Sequence, residues 1–235
     1  MEEFQENPVV AIQAENTEAR AAFYRQTYMH VALSVLLFIL VEMIFFQIPA
    51  VMELALSLTQ GRLWLFMLIG FMIVTSYAER MALKSHDKRK QYLALILFVV
   101  AEAFIFIPLI FMAMMYAGEG GMSIINQAAI MTLSLFSGLS AIVLLTKKDF
   151  SFLKSALAVG FFIALGLIVA GLLFGFDLGL WFSVGMVVLA SGSILYQTSN
   201  MVHKYDNDQY VGASLALFAS LMLLFWYILS ILNRR

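Results

Sequence analysis

Long apolar runs separated by short polar segments follow one another along the whole chain. A helix needs about 20 mostly apolar residues to cross the hydrocarbon core of a bilayer. Runs of this length predict seven membrane spans: Tyr28–Ile48, Leu63–Leu83, Tyr92–Tyr116, Ile124–Thr146, Phe152–Phe174, Leu180–His203 and Val211–Leu232. A further apolar piece, Ala50–Leu58, is too short to cross and is expected to lie at the surface. The pattern predicts an all-α integral membrane protein with one transmembrane domain, residues 25–235, after a polar N-terminal tail, residues 1–24.

The sixth predicted span differs from the others because its second half is polar. At helical spacing, small and polar side chains share one face of this span with Met186: Ala190, Ser193, Gln197 and Asn200. Such a face is costly against hydrocarbon and is expected to point into a helix bundle. Two interpretations remain open at this point. The face either packs two helices together or forms a polar gate or ion site at the centre of the bundle.

The composition excludes several classes of protein. The chain is 63% apolar and 12% charged, with a mean hydropathy of +0.91 and a net charge of −1. It has no basic arm, so no nucleic-acid partner is expected. It contains no cysteine, which removes disulfides, thiolate metal sites and cysteine catalysis. The N-terminus is acidic and lacks the basic start and apolar core of a cleaved signal, so the first span is expected to direct insertion.

Basic residues predict how the chain is oriented in the membrane, because they are enriched in cytoplasmic loops. With the N-terminus in the cytoplasm, eleven of the fourteen basic residues lie on the cytoplasmic side. These are Arg20, Arg25, Arg80, Lys84, Lys88, Arg89, Lys90, Lys147, Lys148, Lys154 and Lys204. Arg62, Arg234 and Arg235 lie on the other side. The two C-terminal arginines leave an alternative open, in which the last segment is re-entrant and both ends face the cytoplasm.

Glu42 and Glu102 are the two carboxylates that fall in the middle of predicted spans. A charge at the bilayer centre costs about 2.5–3.5 kcal/mol on insertion scales, so each is expected to face a cavity or a partner. They either line a cation or proton path or are protonated groups bonded to a neighbouring helix. The chain has no sequence signature of a nucleophile, a cofactor site or a clustered metal site, so a non-enzymatic protein without a cofactor is expected. The sequence leaves any metal ligand unknown.

Several stretches together resemble the Bax inhibitor-1 family, also called transmembrane Bax inhibitor motif proteins, and in particular its bacterial inner-membrane branch. The two most specific lie at Ser140–Ala141 with Leu145–Leu153, and at Ser191–Asn200 with His203. Weaker matches lie at Arg25–Tyr28, Pro108 and Leu229–Leu232. The resemblance covers nearly the whole chain in order and spacing.

The resemblance implies a bundle of six helices around a central seventh. In the members of the family that leak calcium, acidic residues of spans six and seven pair with each other, engage an arginine of span two, and gate the leak with pH. The matching positions here are Gln197, Ser220 and Arg80. Neither Gln197 nor Ser220 titrates near neutral pH. A hydrogen-bonded closed state is therefore expected to survive without a pH trigger.

Two functions follow as expectations from this resemblance. The first is a calcium or cation leak with a gate that does not respond to pH. The alternative is a stress-related modulator of a membrane-bound, ATP-dependent protease, which would contact it through the polar N-terminal tail. The expected partners are thus the lipid bilayer, a calcium ion and a membrane protease.

Overall fold

Helices make up nearly all of the residues that the structure describes. The computed structural model describes residues 8–61, 63–85, 87–116 and 121–234. Within these ranges the helices are α1 (Pro8–Phe45), α2 (Pro49–Ser57), α3 (Leu63–Lys84), α4 (Lys88–Tyr116), α5 (Gly121–Thr146), α6 (Leu153–Phe174), α7 (Gly179–His203) and α8 (Tyr210–Leu232). All but α2 are long and apolar enough to cross a membrane, and each matches one predicted span. The prediction of an all-α protein with seven spans is confirmed.

Helix α8 lies at the centre of the bundle. Some 72% of its most apolar stretch is buried, and it packs against α1, α3, α4, α5 and α7. Ala164 of α6 belongs to the same small buried cluster as Met186 of α7 and Tyr227 of α8. Gly212 allows a close approach to α3, since a Cβ atom there would lie 2.8 Å from Leu83 and 3.2 Å from the Ala82 carbonyl oxygen. Six helices thus surround a central seventh, as the resemblance implied.

Helix α6 has the opposite environment. Only 6% of its most apolar stretch is buried, and it packs chiefly on α7. Gly175 ends α6 in the left-handed conformation (φ +74°), and its N–H group donates to the Gly171 carbonyl at 2.8 Å. Helix α6 is therefore attached to the bundle along one side and exposes the rest of its apolar surface.

The first helix begins earlier than the span predicted from hydropathy. Residues 8–24, assigned to the polar tail, are the first turns of α1, while residues 1–7 lie outside the described part of the chain. Alanine, glutamate, glutamine and arginine dominate this region and favour a helix, and Phe23 anchors it because its side chain is buried. The short piece after α1 does not cross, as predicted. It forms a helix, α2, with Pro49 at its first turn.

The loops after α3, α5 and α7 lie at one end of the bundle, which we call the basic end. Contacts across it join Arg20 to the α7–α8 loop and Lys88 to the Asp208 carbonyl. At the opposite end, Arg234 pairs with Asp177 of the α6–α7 loop at 3.2 Å. Helix α8 therefore crosses the whole bundle, which contradicts the alternative of a re-entrant last segment. Arg62 and Arg235 lie outside the described residues.

Candidate functional site

The polar face of α7 meets the central helix through a pair of serines. The hydroxyl oxygens of Ser193 and Ser220 lie 2.8 Å apart, and the Ser220 hydroxyl also donates to the Ala216 carbonyl at 3.1 Å. Ser220 is buried and Ser193 is partly buried. Met186, Ala190 and Asn200 of the same face are buried as well, so the prediction that this face points into the bundle is confirmed.

The other two residues of the expected gate have different neighbours. The partly buried Gln197 lies one helical turn beyond Ser193, and its carbonyl oxygen accepts a hydrogen bond from Asn200 at 3.3 Å. The Arg80 side chain is exposed and lines a groove between α3 and α6. The structure brings Ser220 to Ser193, and none of the hydrogen bonds within the described part of the chain joins Ser220 to Gln197 or Arg80.

A cavity of about 650 Å³ lies beside the central helix. It follows α3 from Trp64 to Glu79, which at 1.5 Å per residue corresponds to about 22 Å of helix, and α4, α6, α7 and α8 form its other walls. Glu79 and Glu102 both line it, and the Glu102 side chain is only 6% exposed. The cavity therefore extends over much of the apolar thickness of a bilayer and carries two acidic groups.

An ion pair lies at the far end of this cavity, away from the basic end. Arg234 and Asp177, which also line the cavity, form that pair. The pKa of Asp177 lies below its usual range, first because the Gly179 N–H donates to its carboxylate and second because Arg234 is adjacent. Both side chains are substantially exposed, so water and salt reach the pair. The two residues were not among those selected from the sequence, although Arg234 stood out as a basic residue on the predicted outer side.

Glu42 is separate from the cavity. Its side chain is 6% exposed, and neither carboxylate oxygen has a hydrogen-bond partner among the described residues. It does not line the cavity that contains Glu102. The structure thus gives the two mid-span glutamates different surroundings, since Glu102 lines this cavity and Glu42 does not.

The two most specific resemblance motifs contact each other at the basic end. The Ser199 hydroxyl accepts from the Phe150 N–H at 2.9 Å and donates to the Asp149 carboxylate at 3.2 Å. His203 lies between the carbonyl oxygens of Ser199, at 2.9 Å, and Lys147, at 3.1 Å. Hydrogen bonds from Ser151, first, and from Ser199 hold the pKa of Asp149 below its usual value. These motif residues fasten the α5–α6 loop to the end of α7.

Arg20 of α1 fastens the neighbouring loop. Its guanidinium donates to the carbonyl oxygens of Met201 at 2.6 Å, Val202 at 2.8 Å and Tyr205 at 2.7 Å, and it lies 4.7 Å from the centre of the Phe23 ring. A cation at the last carbonyl groups of a helix is favourable because these groups otherwise lack partners. Arg20 therefore caps α7 from another helix. A lone arginine just before a span carries no sequence signal that distinguishes this role from orientation in the membrane.

No cluster of three or more His, Cys, Asp or Glu side chains that could hold a metal ion occurs within the described residues.

Comparison with known proteins gives both a family model and individual relatives. The model described as "Inhibitor of apoptosis-promoting Bax1" matches residues 20–235. An uncharacterised protein of Pseudomonas aeruginosa is 42% identical over 119 residues, which is 50% of this chain and 53% of that protein. The "Modulator of FtsH protease YccA" of Escherichia coli is 35% identical over 119 residues, 50% of this chain and 54% of its own. "Protein lifeguard 4" of the mouse is 32% identical over 117 residues, 47% of each chain. The chain thus spans about half the length of these curated relatives.

Proposed function

The chain belongs to the Bax inhibitor-1 family, and we propose that it is a non-enzymatic membrane protein that modulates a membrane-bound, ATP-dependent protease. The observation that carries this proposal is the similarity to a bacterial protein whose name states that it modulates the FtsH protease. That similarity covers 50% of the chain. The membrane is the bacterial inner membrane, and the N-terminus is cytoplasmic in the proposal.

The N-terminal part of α1 supports this function. The helix is continuous from Pro8 to Phe45, so its first turns are a direct extension of a membrane span. At 1.5 Å per residue, the residues from Pro8 to Arg20 reach about 18 Å along the helix axis. Thr17, Glu18 and Ala19 are exposed. This arrangement presents an acidic helix on the same side of the membrane as the basic end.

Arg20 connects this helix to the rest of the bundle. Its bonds to the α7 terminus and to Tyr205 fix the point from which the N-terminal turns extend. A surface held in one orientation loses less conformational entropy when it binds a partner. We therefore assign the protease contact to residues 2–19 and the positioning of that contact to Arg20.

Co-purification tests the contact. The full chain, a chain without residues 2–19, and the Arg20→Ala variant are expressed at equal levels, and the amount of protease recovered with each is measured after solubilisation in mild detergent. We expect the full chain to retain the protease, the truncated chain to lose it, and Arg20→Ala to retain less. Equal recovery with the full and truncated chains would remove the N-terminal segment from the proposal.

A second function, a calcium or cation leak, is favoured by the cavity. This space is about 650 Å³ and is lined by Glu79 and Glu102, and acidic groups attract cations into a low-dielectric path. The contact between Ser193 and Ser220 would hold the closed state in this function, and Gln197 lies one turn farther along the same face of α7. The serines and the glutamine do not titrate near neutral pH, so the gate itself is expected to be insensitive to pH between about 6 and 8.

Calcium flux across reconstituted liposomes at two pH values tests this second function. No flux above protein-free liposomes would exclude it and leave the modulator function intact. A leak that is steep in pH would place the sensor in other groups. The double change Gln197→Glu with Ser220→Asp tests the position of the gate. Ser220 contacts Ser193, and Gln197 lies one helical turn farther along α7. The leak should become pH-dependent only if the two new carboxyl groups are still close enough to share a proton.

A further inference from the structure

A groove of about 760 Å³ runs along the bundle between α3 and α6. One wall is a single face of α3, where lining residues recur every three or four positions from Leu65 to Arg80, and the other wall is formed by Leu165 and Val169 of α6. The walls are apolar except near the basic end, where Ser76, Tyr77 and Arg80 lie. The groove is therefore an apolar slot with a cationic group at one end.

The slot exists because α3 and α6 are attached to different parts of the bundle. Helix α3 packs against α4 and α8, whereas α6 packs chiefly on α7. Ile73, in the middle of the α3 wall, remains 65% exposed. In a protein that spans a membrane, an exposed apolar slot of this kind faces hydrocarbon.

Arg80 lies one turn before the end of α3, and Lys84 is the last residue of that helix. The exposed Arg80 side chain forms no hydrogen bond or salt bridge with any residue that the structure describes. Its neighbour Glu79 lines the central cavity and is also near enough to Arg80 for an electrostatic interaction, although the two form no salt bridge. At this depth the guanidinium lies close to the level of lipid headgroups, and Tyr77, which is 61% exposed, is a residue type common at that level.

We propose that this groove binds one anionic phospholipid, with an acyl chain between α3 and α6 and the headgroup phosphate on Arg80. A guanidinium recognises a phosphate through two parallel hydrogen bonds, and an anionic headgroup adds attraction to the surrounding basic end. The length of the α3 wall, about 22 Å from its residue numbers, accommodates an extended acyl chain. Arg80 is then a lipid-binding residue. This role differs from that of the gate arginine to which Arg80 corresponds in the family.

Native mass spectrometry of the purified full chain tests this proposal. Phosphatidylglycerol and phosphatidylcholine are titrated separately, and the occupancy of the first bound lipid is measured. We expect phosphatidylglycerol to bind more tightly than phosphatidylcholine by about fivefold. Both lipids offer a phosphate to Arg80, but only phosphatidylglycerol has a net negative headgroup, and attraction between that charge and a nearby basic group is worth about 1 kcal/mol. The Arg80→Gln variant should lose this preference. Arg25→Gln is the matched control, since Arg25 is also an exposed arginine at the basic end.

Filling the groove provides a second test that leaves Arg80 in place. Ile73→Trp should weaken phosphatidylglycerol binding, whereas Ile130→Trp on α5 should not, although the two isoleucines are equally exposed, at 65% and 66%. Equal affinity for the two lipids, equal effects of Arg80→Gln and Arg25→Gln, or equal effects of the two tryptophan variants would each overturn the proposal. A polypeptide that co-purifies with the chain and is displaced by Ile73→Trp would also overturn it, because the occupant would then be a partner helix. Circular dichroism verifies that each variant is folded.

Discussion

The removal of the Arg20 side chain is the perturbation whose effect follows most directly from the structure. The guanidinium makes three hydrogen bonds of 2.6–2.8 Å to carbonyl oxygens at the end of α7 and in the loop after it. A hydrogen bond that involves a charged group contributes about 1.5–3 kcal/mol. Arg20 is partly buried, so water replaces part of what is lost, and bonds from one side chain are not additive. We therefore expect Arg20→Ala to lower the free energy of unfolding by about 2–4 kcal/mol.

Two measurements check the size of the destabilisation and the part of the structure that it affects. Denaturant titration of the purified protein in detergent micelles gives the free energy of unfolding. Hydrogen exchange should show faster exchange of the Lys204 and Tyr205 amides, which bond to the Asn200 carbonyl in the last turn of α7. Arg20→Lys should fall between the wild type and Arg20→Ala, because lysine keeps the charge but not the planar fork of donors.

Arg25→Ala is the matched control, since this arginine is exposed and forms no hydrogen bond or salt bridge with the described residues. Its effect on the free energy of unfolding should stay within about 0.5 kcal/mol. Equal destabilisation by Arg20→Ala and Arg25→Ala, or unchanged amide hydrogen exchange at the end of α7, would show that Arg20 does not stabilise that helix end.

Four further predictions concern the bundle interior and the end of the cavity. Glu102→Gln should reduce any cation flux in liposomes while leaving the thermal unfolding midpoint nearly unchanged, and unaltered flux would make Glu102 a structural residue. Glu42→Met should raise the free energy of unfolding by about 1 kcal/mol, because it removes a buried carboxyl group that has no hydrogen-bond partner among the described residues. A loss of stability in this variant would contradict the prediction. Asp177→Asn should increase any leak by weakening the pair with Arg234. Because the pKa of Asp177 is lowered, the wild-type pair is complete at neutral pH and is lost only in acid, below the usual titration range of an aspartate. Ser193→Asp combined with Ser220→Asp should make any leak pH-dependent, because the wild-type hydroxyls are 2.8 Å apart and two carboxyl groups so close share a proton. A flat pH profile in a folded double variant would show that this contact does not control the leak.

Hydropathy predicted the spans but not their positions in the bundle. Helices α6 and α8 have similar mean hydropathies, 2.7 and 2.4, yet the first faces outward and the second is central. Lipid is as apolar as a protein interior, so apolarity does not distinguish a buried transmembrane helix from an exposed one. The small residues in the first half of α8, such as Gly212, Ala216 and Ser220, are the signal that indicates close packing.

The polar face of α7 was predicted from spacing, but its partners were not. Helical periodicity placed Ser193 and Gln197 on one face, and the structure confirms that this face points inward. Which of the two meets Ser220 depends on how far α7 and α8 slide past each other, and the sequence of either helix does not encode that offset. The contacts of Arg20 and the Asp177–Arg234 pair were missed for a related reason. Arg20 bonds to backbone carbonyl groups that lie 181 and 185 residues away, and these groups carry no residue-specific signal. Arg234 and Asp177 are 57 residues apart, so their pairing depends on how the helices pack.

The start of α1 shows a limit of a different kind. The predicted tail was defined by polarity, and polarity determines where a helix leaves the membrane rather than where it begins. Residues 13–18 include two glutamates, a glutamine and an asparagine, yet they continue the helix, because helix propensity and the packing of Phe23 favour it.

The proposed function can be decided by measuring the rate at which a membrane-bound, ATP-dependent protease degrades a membrane substrate. The protease is reconstituted in liposomes alone, with the full chain, or with the chain that lacks residues 2–19, and helix content and thermal unfolding establish that both chains are folded. We predict that the full chain changes the degradation rate and that the truncated chain does not. A folded truncated chain that changes the rate as much as the full chain, or a full chain that leaves the rate unchanged, would contradict the proposed function.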